Sequence, residues 1–403
     1  MVTTLFFMWG FLTSLNDILI PHLKSIFDLN YTKAMLIQFA FFSSYFVFSL
    51  PSGKLIDAIG YKKAMVAGLL VMGVGAFLFI PAAMVPSFPF FLTALIVLAA
   101  GMTVLQVSAN PYVAALGPER TAASRLNLAQ AFNSLGTTVG PKVGGLLILG
   151  AAAPLAATVL ATYSPQALQA YRVSQAATVK MPYMVFGLAL VALAIAISLF
   201  KLPTIPSVEK SKEAAGKDTI WNHPHLLLGA LAIFVYVGAE VSIGSFLINY
   251  FNQDYIAHLS LQDAAGYVVY YWGGAMVGRF IGSALQQKIR ANLLLGVAAV
   301  CAALLVCASM LTFGGVAMWT IIAVGLFNSI MFPTIFTLSI EGLGPLTADG
   351  SGLLVAAIVG GAIIPLAQGR IADSSIGLHH AFILPVLCYI YIAFFGFRGY
   401  RHD

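Results

Sequence analysis

The chain has 403 residues, of which 60% are hydrophobic and only 8% charged, with a formal net charge of +6. A soluble fold of this size needs far more charge on its surface, whereas a helix crossing about 30 Å of hydrocarbon needs about 20 apolar residues. The composition therefore excludes a soluble globular protein and points to a polytopic membrane protein, and the scattering of the basic residues among short connections sets a nucleic-acid surface aside.

Apolar stretches of spanning length recur from end to end. The first set is 4–23, 33–54, 61–82, 88–116, 122–150 and 180–201, and the second is 224–252, 263–286, 291–313, 315–340, 350–372 and 380–399. The expected fold is an all-α membrane protein of twelve transmembrane helices in two pseudo-symmetric six-helix bundles. Stretch 4–23 lacks the basic lead of a signal peptide and carries Asn16, Asp17 and Pro21 where a small-residue cleavage site would stand, so it reads as the first span. Asp17 in this run and Glu240 in the seventh lie at bilayer depth, where a carboxylate is costly and is retained for an ion or a substrate.

Between the second and third spans stands Gly53-Lys54-Leu55-Ile56-Asp57-Ala58-Ile59-Gly60-Tyr61-Lys62-Lys63. Gly53 permits close helix approach, Asp57 can accept hydrogen bonds at a helix N-terminus, and Lys62 and Lys63 suit an anionic membrane face. This segment resembles the G-x-L-x-D-x-x-G-x-K-K loop of the major facilitator superfamily, and the resemblance implies that Gly53, Asp57, Gly60, Lys62 and Lys63 form a gating loop that latches the inward side.

Three further segments are specific: Asn16-Asp17-Ile18-Leu19-Ile20-Pro21, Ser108-Ala109-Asn110-Pro111-Tyr112 in the fourth span, and Arg125-Leu126-Asn127-Leu128-Ala129-Gln130-Ala131-Phe132-Asn133 in the fifth. They are similar to the fucose/proton symporter family within that superfamily, over essentially the whole chain and most closely in its glucose/galactose branch. The resemblance implies an ion-coupling role for Asp17 and a sugar-lining role for Gln130 and Asn133. It also exposes a departure, since the fucose carriers hold a glutamate where this chain has Gln106. Gln cannot titrate, so Asp17 alone couples, or Glu240 takes over, or the ion is Na⁺ rather than H⁺.

A sugar has many hydroxyls that need partners once out of water, so its site combines amides with aromatic faces. Gln130 and Asn133 share a helix face, and Asn16, Gln38, Gln106, Asn110, Asn127, Asn249 and Asn328 occupy other apolar runs. Tyr236, Tyr270 and Trp272 are candidates for stacking, as are Trp9, Phe42 and Tyr45. Lys142, inside the fifth span, snorkels or pairs with an acid.

Pro203 to Asp218 is the one strongly polar stretch, and it separates residues 1–202 from 223–403 through a cytoplasmic linker at 203–222. Superposing Tyr45 on Tyr270 also places Gly53 on Gly278, Lys54 on Arg279, Ile56 on Ile281 and Lys63 on Lys288, and brings Glu240 within two residues of the counterpart of Asp17. This repeat predicts a substrate site at the interface of two duplicated halves near the midplane.

Lys54, Lys62, Lys63, Arg120, Arg125, Lys201, Lys210, Lys212, Lys217, Arg279, Lys288, Arg290, Arg398 and Arg401 fall on one side of the predicted topology, with Lys24, Lys33, Arg172, Lys180 and Arg370 opposite, which places both termini in the cytoplasm. Short loops suit a bacterial inner membrane. The three cysteines lie in apolar helices and read as packing residues, and the seven histidines stand near span ends, with Asn222-His223-Pro224-His225 read as an anchor rather than a metal site. No P-loop is present, which disfavours ATP-driven transport, and no nucleophile or acid–base cluster supports an intramembrane enzyme. The expectation is a monomeric secondary transporter, without a cofactor, that imports a hexose of glucose/galactose type by Na⁺ or H⁺ symport, with N-acetylglucosamine or fucose as the alternative cargo.

Overall fold

The computed structural model describes residues 2–27, 31–144, 159, 162–203 and 219–401, and among them the regular structure is entirely helical. In chain order the main helices are α1 (Val2–Phe27), α2 (Tyr31–Met84), α3 (Phe88–Ala115), α4 (Ala122–Gly144), α5 (Pro165–Ala177) and α6 (Lys180–Leu199). They continue with α7 (Pro224–Phe251), α8 (Leu261–Leu285), α9 (Ala291–Leu311), α10 (Gly314–Asn328), α11 (Met331–Ile340), α12 (Thr347–Ala356), α13 (Gly360–Ala372), α14 (Gly377–Ala381) and α15 (Ile383–Phe394). Eight helical stretches among the described residues are long and apolar enough to cross a membrane. Helices α1, α4 and α8 are not among those eight.

Residues cluster into two compact units. One comprises Met1–Ser108 with Leu135–Leu202, and the other Ala109–Ser134 with Pro203–Asp403. The chain thus divides at Leu202, while the end of α3 and the start of α4 group with the C-terminal helices. The reason is visible in the bonds: Ser124 Oγ of α4 donates to the Ser283 carbonyl of α8 (2.7 Å), and Asn127 Nδ2 to Gln286 Oε1 (2.5 Å).

Within the first unit α2 passes through both the second and third expected spans. The loop anticipated between 54 and 61 is a single non-helical residue, Gly60, at φ 79° and ψ 163°. That left-handed backbone is strained for any residue with a Cβ, which is why a glycine interrupts the helix here. Gly101 lets α3 approach α2 so closely that a Cβ would run into the backbone of Met72. Phe79 and Tyr183 stack at 4.0 Å between centroids and join α2 to α6.

In the second unit α7 is surrounded by α8, α11, α13 and α15. Two spans expected as continuous are broken. The 315–340 span stops at Asn328 and restarts at Met331, and 350–372 passes through a 3₁₀ turn, Ala357–Val359. Pro333 lacks an N–H, so the carbonyl of Ser329 four residues earlier has no helical partner and the ladder fails there. At the second break, Gly360 has no Cβ to meet the Phe234 backbone of α7.

Candidate substrate and ion site

The break between α10 and α11 exposes two carbonyls, and each is capped by a side chain from another helix. The Ser329 carbonyl accepts from Arg279 Nε of α8 (3.3 Å), and the Asn328 carbonyl lies 3.1 Å from the Tyr236 hydroxyl of α7. A discontinuous helix whose free backbone groups are met inside a bundle is the arrangement in which transporters hold ligands. The same Tyr236 hydroxyl stands 2.8 Å from Glu240 Oε1, one helical turn further along α7. A phenol carries one hydrogen and here faces two oxygens.

Around this junction the polar groups form a closed chain. Tyr389 of α15 donates to Asn328 Oδ1 (2.8 Å), Asn328 Nδ2 donates to Tyr271 Oη (2.8 Å), and Tyr271 donates to the Glu240 carbonyl (3.3 Å). Asn328, Tyr271 and Tyr389 are fully buried, so each bond is made away from solvent, where leaving a partner unmade costs about 1–3 kcal/mol. The charge of Arg279 reaches both Glu240 and Tyr236. Arg279 also donates to the Gln130 carbonyl (3.2 Å) and to Ser134 Oγ of α4.

Amides of α3 and α4 form a second polar group in this unit. Gln130 Nε2 reaches Asn110 Oδ1 at 3.5 Å, and Gln286 passes the bond it receives from Asn127 onward by donating to Thr334 Oγ1 (2.7 Å). Asn110 Nδ2 and Asn127 Oδ1 are buried without a hydrogen-bond partner among the described residues, and Asn133 is half-buried. Unanswered amide atoms on adjacent helices are what hydroxyls of a sugar would satisfy.

The first unit holds a smaller version. Gln106 Nε2 of α3 donates to Tyr45 Oη of α2 (2.9 Å), and that hydroxyl points at the Met102 sulfur (3.1 Å). Gln106 Oε1 is buried and unpartnered among the described residues. In the segment Gly53 to Lys63, Lys62 Nζ donates to the Ser198 carbonyl (2.8 Å), tying the chain just past the Gly60 break to the end of α6. Gly53 is buried and Asp57 exposed.

Asn16 and Asp17 belong to α1 and Gln38 to α2, but their side chains, like that of Lys142, lie outside the described residues. Tyr236, Gln106, Asn110, Asn127, Gln130 and Asn328 occupy the buried polar groups above. Three others do not. Tyr270 is 58% exposed and meets Tyr267 and Trp319, Trp272 is 43% exposed, and Asn249 is exposed at the far end of α7. On α8 it is Tyr271, one residue on from Tyr270, that enters the network, because Gly274 and Gly278 press that helix onto Leu326 of α10 and turn position 271 inward. His225 Nε2 sits 3.2 Å from the Glu341 carbonyl, which anchors the start of α7.

Sequence reasoning missed Tyr271, Tyr389, Arg279, Gln286 and Gln368. Arg279 carried a usable signal, since a basic residue inside span 263–286 needs a partner. Gln368 of α13 is fully buried with both side-chain polar atoms unpartnered among the described residues.

The profile of the Major Facilitator Superfamily matches residues 2–365. A glucose/galactose transporter of Brucella abortus is 53% identical over 398 residues, covering 99% of this chain and 93% of the relative. A putative glucose/galactose transporter of Helicobacter pylori is 46% identical, over 100% of this chain and 96% of the relative. A crystal structure of the Escherichia coli fucose:proton symporter superposes with a TM-score of 0.91 at 33% identity, covering 100% of this chain and 98% of that one. The family profile, the all-helical architecture and the end-to-end likeness agree: the chain belongs to the major facilitator superfamily.

Proposed function

We propose that this protein is a secondary active transporter that imports a hexose of glucose/galactose type by proton symport with alternating access. In this reading it is a monomer in a bacterial inner membrane, with twelve spans in two six-helix halves, a cytoplasmic linker at 203–222 and both termini in the cytoplasm. Support for the sugar comes from the named relatives at 53% and 46% identity, and support for the proton from the fucose:proton symporter.

The observation that carries the coupling is the single hydrogen of Tyr236 between two oxygens. With Glu240 protonated, its carboxyl donates to Tyr236 Oη, the phenol donates to the Asn328 carbonyl, and every group of the network has a partner. Ionised, Glu240 takes the phenol hydrogen and the Asn328 carbonyl at the helix break loses its donor. Proton binding therefore closes the α10–α11 junction and proton release loosens it. The ionisable groups that act on Glu240 or feel its charge are Arg279 and Tyr271 of α8, Tyr389 of α15 and Tyr236 on its own helix. Among these, Arg279 brings the positive charge. Asp17 supplies the second carboxylate in the first half, and Gln130, Asn110, Asn127 and Asn133 supply partners to sugar hydroxyls.

Uptake of radiolabelled glucose into proteoliposomes tests this reading directly, with a pH gradient imposed in one set and a Na⁺ gradient in the other. Accumulation driven by the pH gradient alone is expected, and it should vanish in Asp17→Asn. Accumulation driven only by Na⁺ would overturn proton coupling while leaving the sugar assignment standing, and accumulation of fucose or N-acetylglucosamine without glucose would overturn the cargo.

A further inference from the structure

Beyond the end of α8 the chain runs through Gln286, Gln287, Lys288, Ile289 and Arg290 before α9 begins at Ala291. Together with Arg120, in the 3₁₀ turn Glu119–Thr121 ahead of α4, these residues line a cavity of about 400 Å³. Three of its six lining residues are cations and none is an acid. Like charges gathered in one concavity repel one another, and the repulsion is relieved by an anion.

The backbone adds to the same field. Arg290 is the N-cap of α9, a helix of 21 residues whose first turn has no capping side chain and no acid. The leading N–H groups of such a helix have no intrahelical acceptor and carry the positive end of its dipole. The floor is fixed by Gln286, which is 3% exposed and uses both ends of its amide on Asn127 and Thr334. Arg120, Lys288 and Arg290 are all exposed at the mouth.

We infer that this cavity binds a phosphoryl group. Two guanidinium forks and an ammonium match the oxygens of a tetrahedral dianion or diester better than they match a halide, and the volume falls in the range of small-molecule sites. The same chemistry is offered by a soluble phosphate ester and by the headgroup of an anionic phospholipid. The inference stands on the cavity and its charges and is independent of the sugar and proton assignments.

The experiment measures the thermal unfolding midpoint of the full chain in two arms. In the first, protein in neutral detergent is titrated with glycerol 3-phosphate, with acetate at matched ionic strength as the control. In the second, it is placed in phosphatidylcholine nanodiscs with and without phosphatidylglycerol. A saturable rise in either arm is expected for the wild type. The apparent affinity should weaken by about tenfold or more in Arg120→Gln/Arg290→Gln, since the double variant removes two charge-assisted bonds. The charge-matched pair Arg398→Gln/Arg401→Gln, outside the cavity, should respond like the wild type. A response confined to the first arm assigns a soluble ester, and one confined to the second a lipid headgroup. No saturable shift in either arm, or equal responses from the two double variants, would overturn the site.

Discussion

Among the described residues, an amide donates to a tyrosine hydroxyl once in each unit. In the first, Gln106 of α3 donates to Tyr45 of α2 at 2.9 Å; in the second, Asn328 of α10 donates to Tyr271 of α8 at 2.8 Å. Their surroundings differ. Asn328 is answered on its other face by Tyr389, and Tyr271 passes its hydrogen to the Glu240 carbonyl, so the C-terminal network closes around a carboxylate. Tyr45 offers its hydrogen to a thioether, a weak acceptor, with Trp9 also at its hydroxyl, and Gln106 Oε1 is left unpartnered among the described residues. A completed network fixes one arrangement, whereas an open amide is available to something that arrives. In the proposed mechanism an amide–tyrosine pair thus serves a switch in one unit and leaves an open acceptor for a sugar hydroxyl in the other.

The largest effect is expected at Glu240. Glutamine there keeps the shape and can still donate to Tyr236, imitating the protonated acid permanently. Glu240→Gln should therefore lose accumulation of sugar against a gradient by about tenfold or more while keeping exchange of labelled for unlabelled sugar at equilibrium. Uptake and exchange assays on the same proteoliposomes separate the two, and intact accumulation would remove Glu240 from the coupling path.

Stability should distinguish the two amides next. Asn328→Leu strips the partner from Tyr389 and the donor from Tyr271 at fully buried positions, which at about 1–3 kcal/mol for each unsatisfied group lowers the thermal midpoint by several degrees. Gln106→Leu breaks one bond but also removes an unpartnered oxygen, so its midpoint should move little. Equal losses in both variants would mean that the first network is as complete as the second.

Much of the architecture was legible because apolar runs of spanning length are hard to hide, whereas the motif from Gly53 to Lys63 suggested a loop where the structure interrupts the helix only at Gly60. The phase of an almost uniformly apolar helix is not readable in the same way. Tyr270, Tyr271 and Trp272 are adjacent, and only the glycine contacts of α8 with α10 decide that position 271 faces in. The α10–α11 break was hidden for a related reason: Pro333 marks it, but proline is common in membrane helices, and what makes this one matter is that Arg279 and Tyr236 arrive from other helices. Gln286 escaped notice at the end of a span, where a polar residue is ordinary until Asn127 is found beside it.

Gln106→Glu tests the open pair from the other direction. An uncharged carboxyl can repeat the amide's donation to Tyr45, and an ionised one cannot. Uptake by this variant should acquire a pH dependence, higher on the acid side, that the wild type lacks at this position. Comparing the pH profiles of the variant and the wild type checks it, and superimposable profiles would mean that position 106 does not communicate with transport.

The smallest expected effect belongs to Gln368, which resembles Gln106 in having an unanswered amide but lies fully buried in α13 with both polar atoms unpartnered among the described residues. A group in that state weakens the fold unless something fills its hydrogen bonds during the transport cycle. Leucine is close in size and carries no polar atom, so Gln368→Leu should raise the thermal midpoint by a degree or two in the absence of sugar, the reverse of Asn328→Leu. If sugar meets this amide later in the cycle, the same variant should also lose part of the stabilisation that saturating glucose gives the wild type, which thermal unfolding with and without glucose measures. A midpoint that falls without sugar would show that Gln368 has a partner and belongs with the closed network rather than with the open one.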